Sequence, residues 1–199
     1  MAVTRTPANV PRQPRWQAAD RLRRGRLPRN VRHWLLAADS LTDHLQAHCP
    51  GRFRVRPLRQ YWRPARADEA ATLDIAGASR VRVREVALCC GTRPMVLART
   101  VLPVTSLRGR QRRLLGAGRR PLGAMLFADR SMRREAFTLC RTRLAQAGFP
   151  VVLDRDGPVH ARRAVFRLGR GPLLVAEYFL PTLIDGVATS VTLRRKGTC

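Results

Sequence analysis

Two runs of valine and leucine between Arg80 and Leu107 are the strongest pattern of apolar and polar positions in the chain. They flank Cys90-Gly91-Thr92-Arg93-Pro94, a break of the length that joins antiparallel strands, so they predict a β-hairpin. Alternation with a period of two places Arg84 on the same face as the apolar half of its own strand. A guanidinium taken out of water needs a carboxylate partner, and an acid of the protein and a ligand are both open.

A second hairpin is predicted from Ala161 to Leu180, across the break Gly169-Arg170-Gly171. On its second strand, Glu177 is a lone acid in an apolar row that consists of Leu173, Val175 and Phe179. Glu177 therefore mirrors Arg84, because each is a single charge on the apolar face of a strand.

Shorter helical patterns precede the first hairpin. The apolar run Trp34-Leu35-Leu36 and the helix start at Asp39-Ser40 predict two short helices joined by a turn. Phe53 and Val55 then alternate with arginines and predict a first strand. Residues 65–77 show no decided pattern.

Helices are also predicted between the two hairpins. Residues 106–118 predict a short basic helix closed by glycine, and Pro121 suits the first turn of another helix. Ser131 is the predicted cap of a stronger helix that ends at Gly148. Its apolar stripe consists of Met132, Ala136, Leu139, Cys140 and Leu144.

The distribution of proline, arginine and apolar residues divides the 199 residues into one domain with two tails. Residues 1–30 are predicted to be a flexible basic arm, in which Trp16 and Leu22 are the side chains suited to dock on the body. Residues 31–181 are the predicted domain, and residues 182–199 are a tail with a weak strand pattern. No apolar run approaches the ~18 to 20 residues of a membrane span, and we expect no secretory signal.

A formal net charge of +26 ordinarily points to nucleic acid or to an anionic surface. Nearly all of the basic residues are arginines, with Lys196 as the only lysine, and they are spread along the whole chain. Nucleic-acid binding is therefore not the main role that we predict, although some affinity for polyanions is expected at low salt.

The cysteines and histidines predict no metal site. The five cysteines are Cys49, Cys89, Cys90, Cys140 and Cys199. Their spacing fits no metal site, so we expect reduced thiols in a cytosolic protein. His44 and His48 share a helix face, but no third ligand accompanies them, and a solvated face is the favoured interpretation.

Several motifs, taken together in order and spacing, resemble those of the chorismate pyruvate-lyases. They are Trp34-Leu-Leu-x-x-Asp-Ser40-Leu-Thr, the Arg84-Glu85 strand, Ala98-Arg99-Thr100-Val101-x-Pro103-Val104, Pro121-Leu122-Gly123-x-x-Leu126-Phe127 and Pro172-Leu-Leu-x-x-Glu177-x-Phe-Leu-Pro181. The resemblance covers residues 31–181. It implies a single α+β domain, in which an antiparallel six-stranded sheet and helix-turn-helix flaps enclose a buried ligand.

The resemblance also implies an activity and a set of site residues. The family eliminates pyruvate from chorismate and releases 4-hydroxybenzoate for the ubiquinone ring, without a metal or a cofactor. Arg84 matches the arginine that holds the ring carboxylate, and Glu177 matches the acid that contacts the 4-hydroxyl. Leu41 and Leu122 match residues whose backbone amides help to hold that carboxylate. The expected partners are the substrate and the product alone, in a monomeric cytoplasmic enzyme.

The resemblance leaves the second carboxylate of chorismate without an assigned partner. The candidates are Arg99 and the arginines of the strand from Arg162 to Arg167, for which a solvated or structural role is equally open. Two other classes of function remain. The same fold resembles the effector-binding domain of some bacterial transcription regulators, but we do not expect a DNA-binding domain in the about 30 residues that precede the predicted domain. A nucleic-acid module would need exposed aromatic residues beside the arginines.

Overall fold

The fold is built on a large antiparallel sheet. The structure is a computed structural model, and it describes residues 14–23, 27–149, 151–153, 157–169, 171–186 and 191–193. Within these residues, the strands are β1 (Gln17–Ala18), β2 (Phe53–Pro64), β3 (Arg80–Cys90), β4 (Arg93–Pro103), β5 (Met132–Arg134), β6 (Thr138–Thr142), β7 (Val151–Leu153), β8 (Val159–Leu168), β9 (Gly171–Phe179) and β10 (Val191–Leu193).

Short helices connect and cover the strands. The α-helices are α1 (Ala19–Arg23), α2 (Arg29–Leu36), α3 (Leu41–His48), α4 (Ala67–Leu73), α5 (Leu122–Phe127), α6 (Leu144–Ala147) and α7 (Pro181–Ile184). Two 3₁₀ helices span Val104–Ser106 and Gly109–Gly116. The pair α2 and α3 confirms the two predicted helices, and Ser40 caps α3 as predicted. The undecided stretch 65–77 contains α4.

The main sheet has the strand order β1-β6-β8-β9-β4-β3-β2, and β5 pairs with β8 on the same edge as β6. Its longer strands β2, β3, β4, β6, β8 and β9 form the antiparallel six-stranded sheet that was expected. The short strands β1 and β5 extend this sheet to eight strands. β7 and β10 pair separately, and β10 confirms the weak strand pattern of the tail.

Both predicted hairpins are confirmed. β3 and β4 join across Gly91, and β8 and β9 join across Gly169. Both glycines have positive φ angles, of 59° and 57°, a conformation that residues with a Cβ rarely adopt. The glycines therefore permit the tight reversals that bring each pair of strands together.

Helices cover both faces of the sheet and divide the core between them. On one face, α2 and α3 pack over one apolar cluster, while α5 and the helix Gly109–Gly116 pack over another. On the opposite face, α4 and α6 cover the remaining two clusters. The two helical pairs thus lie as flaps on the sheet face that carries Arg84 and Glu177.

The predicted helix from Ser131 to Gly148 is wrong for most of its length. The three residues of β5 and the five of β6 are strand, and only the four residues of α6 are helical. Both strands pair with the outer edge of β8, whose backbone groups would otherwise need other partners. Long-range pairing therefore overrides the helical spacing of the apolar stripe. The predicted stop is confirmed, because Gly148 caps α6 with a φ of 77°.

The disulfide of this structure corrects the expectation that all cysteines are reduced. Cys49 at the end of α3 and Cys90 at the end of β3 are bonded, with Cα atoms 5.7 Å apart. Spacing along the chain does not reveal that these two ends meet. Cys89 and Cys140 are free and buried. Burial raises the pKa of both thiols, that of Cys140 to about 12, so neither is a reactive thiolate at neutral pH. Cys199 lies outside the described residues.

Part of the predicted N-terminal arm packs against the sheet. β1 pairs with β6, and the Trp16 ring lies edge-on to Tyr178 with the centroids 6.2 Å apart. The guanidinium carbon of Arg163 lies 4.4 Å from the Trp16 ring centroid. Residues 1–13 and the side chain of Leu22 lie outside the described part of the chain. The boundaries 1–30, 31–181 and 182–199 stay predictions.

Candidate active site

A cavity lies between the sheet and the two helical flaps, where the two apolar clusters of that face meet. Its walls include apolar residues of three neighbouring strands, such as Val86, Ala98 and Val175. The four site residues implied by the family resemblance all line it: Leu41, Arg84, Leu122 and Glu177. The fold therefore brings together residues that are separated by up to 136 positions in the chain.

Leu41 and Leu122 are the first residues of α3 and α5. The first N–H groups of a helix have no acceptor within the helix, so they are available to a ligand beyond its end. Both helix starts border the same cavity. The sheet side of the cavity thus supplies side chains, and the flap side supplies backbone donors.

The two flaps touch at Gly123, the second residue of α5. A Cβ atom on Gly123 would lie 3.0 Å from Oγ1 of Thr42 and 3.4 Å from Oγ of Ser40. Thr42 and Ser40 belong to the start of α3, so the two helices approach too closely for a larger residue. Glycine therefore allows the flaps to close over the cavity.

Arg84 is a buried cation of this cavity. The residue is 4% exposed, and its Nη2 donates to the carbonyl oxygens of Gly118 at 2.9 Å and Arg120 at 3.0 Å. Its Nε is buried and has no hydrogen-bond partner among the residues that the structure describes. Burial lowers the pKa of Arg84, because no neighbouring carboxylate compensates the loss of water.

An ion pair with an acid of the protein, the structural alternative for Arg84, is not found in the described part of the chain. The neighbouring Glu85 points to the opposite face of the sheet, where it pairs with Arg59 and Arg99. Arg84 therefore presents an uncompensated charge to the cavity. An anionic ligand would supply the partner that a buried guanidinium requires.

Glu177 projects into the same cavity from β9, and Arg162 is its direct partner in the register of β8 and β9. Nε of Arg162 donates to Oε2 of Glu177 at 2.6 Å. Nη1 of Arg162 donates to the carbonyl oxygens of Trp34 at 3.1 Å and Ala37 at 2.8 Å. Arg162 therefore orients Glu177 and ties the sheet to the end of α2. Counting outward from the turn of the β8–β9 hairpin pairs Arg162 with Glu177, so this pair could have been predicted from the sequence.

The strand register fixes the distance between the two site charges. Arg84 pairs with Thr100 on β4, and Glu177 pairs with Ala98 on the same strand. With strands about 4.8 Å apart and a rise of about 3.4 Å per residue, the Cα atoms of Arg84 and Glu177 are separated by about 12 Å. A small ligand between them has a cation at one end and an anion at the other.

Most of the arginines proposed for a second carboxylate serve other partners. Arg99 lies on the opposite sheet face, where it pairs with Glu69 at 3.0 Å and with Glu85. Burial opposes its charge, but these two carboxylates more than compensate and raise the pKa of Arg99. Arg163 pairs with Asp68 on that face, and Arg167 pairs with Glu135 at the surface. The structural role left open for these residues is the one observed.

Arg134 lines the cavity but was not recognised in the sequence. It lies on β5, a strand that sequence analysis placed in a helix. Its Nη1 donates to the carbonyl oxygen of Ala38 at 2.5 Å. Sequence analysis applied a helical period to this segment. It therefore could not show that Arg134 lines the same cavity as Glu177 and Arg162.

Within the described residues, no three histidine, cysteine or acidic side chains lie close enough to hold a metal ion. The same part of the chain contains no helix that is both long and apolar enough to cross a membrane.

Comparison with known proteins places this chain in a family. The chain matches the chorismate lyase family over residues 10–188. A protein named probable chorismate pyruvate-lyase from Methylococcus capsulatus is 41% identical over 154 residues, which are 76% of this chain and 95% of that protein. A protein of the same name from Pseudomonas aeruginosa is 38% identical over 176 residues, 88% of this chain and 96% of the other.

Solved structures support the fold alone. PhnF from Mycobacterium smegmatis is similar with a TM-score of 0.51 and 15% sequence identity, over 72% of this chain and 65% of PhnF. The sequence match is far stronger and spans both hairpins and both flaps. The chain therefore belongs to the chorismate lyase family.

Proposed function

We propose that this protein is a chorismate pyruvate-lyase, which converts chorismate to 4-hydroxybenzoate and pyruvate. One observation carries the proposal: a buried, uncompensated arginine and an oriented glutamate face each other in a cavity closed by two helix starts. The names of the relatives support the same substrate. The product would serve the ubiquinone ring, as the family resemblance implies.

In the proposed complex, the ring carboxylate of chorismate binds Arg84 and the backbone N–H groups of Leu41 and Leu122. The opposite side of the ring, with its C4 hydroxyl, then lies against Glu177. Arg162 already occupies Oε2 of Glu177, and within the described residues Oε1 has no partner, so Oε1 can accept a hydrogen bond from this hydroxyl. The cavity thus fixes both ends of the ring.

The proposed reaction is an elimination. The C3–O bond of chorismate breaks, and its electron pair leaves with the ether oxygen as the enolate of pyruvate. The C4–H bond also breaks, its electron pair completes the aromatic ring, and the enolate gains a proton at its methylene carbon. Aromaticity favours the product, so the site needs chiefly to orient the substrate and to place charge in a water-poor cavity.

The acceptor of the C4 proton is either Glu177 or the methylene carbon of the substrate itself. Neither route needs a metal or a cofactor, and we propose that the enzyme uses none. Because a dicarboxylate does not cross a bilayer unaided, the enzyme must share the compartment in which its substrate is made. We propose that this compartment is the cytoplasm.

The decisive experiment is to incubate the purified protein with chorismate and to measure 4-hydroxybenzoate and pyruvate. The expected result is one equivalent of each product, with loss of turnover in Arg84→Ala. Binding of 4-hydroxybenzoate without any turnover would overturn the lyase proposal. It would favour a non-catalytic domain that binds aromatic carboxylates. Absence of both binding and turnover would also contradict the proposed site.

A further inference from the structure

Three arginines line the cavity, and they differ in their interaction partners. Arg162 is committed to Glu177 and to backbone carbonyl oxygens. Arg84 makes no ion pair with a described acid, and it lies on β3, at the end of the cavity where the ring carboxylate is proposed to bind. Arg134 also makes no ion pair with a described acid, and it lies on the opposite side of the sheet's centre, at the edge formed by β5.

The guanidinium of Arg134 is held in position without being neutralised. Its central carbon lies 4.3 Å from the ring centroid of Phe137, which also lines the cavity. Its Nη1 donates to the carbonyl oxygen of Ala38, in the turn between α2 and α3. Among the described residues, these contacts use one of the five N–H groups of the side chain, so the others can bind an anion.

The electrostatic environment of Arg134 favours an additional negative charge. Burial lowers the pKa of Arg134, and the neighbouring charge of Arg162 lowers it further. Glu177 and Asp39 oppose this effect only in part, and the Asp39 side chain is 85% exposed. A ligand carboxylate at this edge of the cavity would therefore relieve an unfavourable concentration of positive charge.

We infer that Arg134 binds the second carboxylate of the substrate, the one on the enolpyruvyl ether. This inference rests on the proposed function for the identity of the substrate. Two arginines without acid partners match a ligand with two carboxylates, and Glu177 lies between them. Arg134 would hold the leaving group while its C–O bond breaks. 4-Hydroxybenzoate lacks this carboxylate, so Arg134 discriminates the substrate from the product.

The test compares ligands with one and two carboxylates, and it needs no turnover. Binding of 4-hydroxybenzoate and of 3-(carboxymethoxy)-4-hydroxybenzoate is measured by calorimetry for the wild type, Arg134→Gln and Arg134→Lys. Because Arg134→Gln loses a charge-assisted contact, its affinity for the dicarboxylate should fall by about 10- to 100-fold. Affinity for the monocarboxylate should stay within about threefold, and Arg134→Lys should recover part of the loss. The KM for chorismate should rise with the dicarboxylate Kd.

Arg133→Gln is the matched control, because Arg133 is exposed on the same strand and does not line the cavity. Equal affinities of the wild type and Arg134→Gln for the dicarboxylate would overturn the inference. An equal loss of affinity for both ligands would also overturn the inference, since Arg134 would then act only by supporting the flap through Ala38. If Arg134→Gln loses affinity for the dicarboxylate alone and the wild type does not turn over chorismate, the assigned role of Arg134 is supported and the lyase proposal is rejected.

Discussion

Arg84 uses its guanidinium in two directions, toward the flap and toward the proposed ligand, and lysine can replace it well in neither. Its Nη2 holds two carbonyl oxygens of the second flap, while Nε has no described partner. Arg84→Lys keeps the charge but loses the planar fork of donors. We expect product binding to weaken by roughly 1 to 3 kcal/mol, with Arg84→Ala worse. Calorimetry with 4-hydroxybenzoate measures the effect.

Arg82→Lys is a suitable control, since Arg82 lies two residues away on the same strand face but donates to Gln60 outside the cavity. It should leave product affinity unchanged. Wild-type affinity in Arg84→Lys would mean that Arg84 only supports the flap.

Glu177→Gln separates a proton acceptor from an orienting group. Glutamine keeps the shape and still accepts a hydrogen bond from Arg162, but it cannot take a proton. If Glu177 is the base, turnover should fall by on the order of 10²-fold or more, while product affinity is nearly retained. If it only orients the hydroxyl, Gln should keep most of the turnover and Ala should lose far more. Steady-state kinetics of both variants distinguish these outcomes.

A structural role for Glu177 would give a third pattern. Both variants would lose thermal stability, because Arg162 would lose its acid partner, and the remaining folded protein would turn over normally. That pattern would contradict any catalytic role for Glu177.

Individual charged residues were partly predictable from the sequence. Alternation on well-defined strands places Arg84 and Glu177 among apolar residues, and the structure confirms this placement. It cannot identify partners that lie on other elements, such as Ala37 for Arg162. Arg134 was missed because the residues around it follow a helical spacing but form a strand. The pairing that decides this lies more than 30 residues further along, on β8.

Elements were predictable wherever local signals and long-range pairing agree. The hairpins have glycine turns and alternating strands, and the cap Ser40 marks the start of α3. β5 and β6 fail this condition, since the partners that make them strands, β8 for both and β1 for β6, lie far away in the chain. The disulfide between Cys49 and Cys90 is a further long-range feature of this kind, because it joins a helix end to a strand end.

The contact between the flaps predicts the effect of a single methyl group. In Gly123→Ala, the new Cβ would meet Thr42 Oγ1 at 3.0 Å, so α3 and α5 must move apart by a few tenths of an ångström. We expect 4-hydroxybenzoate to bind several-fold more weakly and to dissociate faster. Alanine also favours helix by up to about 1 kcal/mol, so thermal stability should change little. Stopped-flow measurement of product release checks this.

Gly116→Ala provides the comparison, since Gly116 ends the other helix of the same flap and a Cβ there meets nothing within 4 Å. It should leave product release unchanged. Identical release rates in Gly123→Ala and the wild type would show that the flaps do not need this close approach.

On the scale of the whole molecule, the sheet separates two charged faces with different tasks. One face holds the candidate site, where Arg84 lacks an acid partner among the described residues. The other face holds a network in which Arg99 binds both Glu69 and Glu85. Burial tends to raise the pKa of Glu69, but Arg99, the backbone N–H of Arg66 and Arg63 together outweigh it, and the net pKa is lowered. The contrast between a satisfied and an unsatisfied arginine is what distinguishes the ligand face.

Lyase activity should survive exhaustive chelation. In the described residues, no set of metal-ligating side chains is assembled, and the proposed elimination uses only positioning and charge. Turnover is compared before and after treatment with a chelator and dialysis. Loss of activity that returns on addition of a divalent metal would contradict this expectation.

The N-terminal segment gives the last prediction, because Trp16 packs on the face opposite the site, while Ala19 and Leu27 pack against the cluster under α2 and α3. Trp16 contacts Tyr178 and Arg163, and β1 extends the sheet beside β6. Deleting residues 1–13 should leave both stability and turnover unchanged. Deleting residues 1–28 also removes these contacts and should lower stability by about 1 to 3 kcal/mol, or roughly 2 to 10 °C in Tm.

Trp16→Ala in the full chain should reproduce most of that loss, and Trp16→Phe should recover part of it through the ring contact with Tyr178. Turnover of the folded fraction should stay within a few-fold of wild type in every variant, since Trp16 does not line the cavity of the candidate site. Thermal unfolding and turnover are therefore measured on the same samples. Equal stability of the two truncated proteins would mean that residues 14–28 behave as part of a flexible arm. A loss of turnover without a loss of stability would instead show that contacts on this face of the sheet affect catalysis at the site.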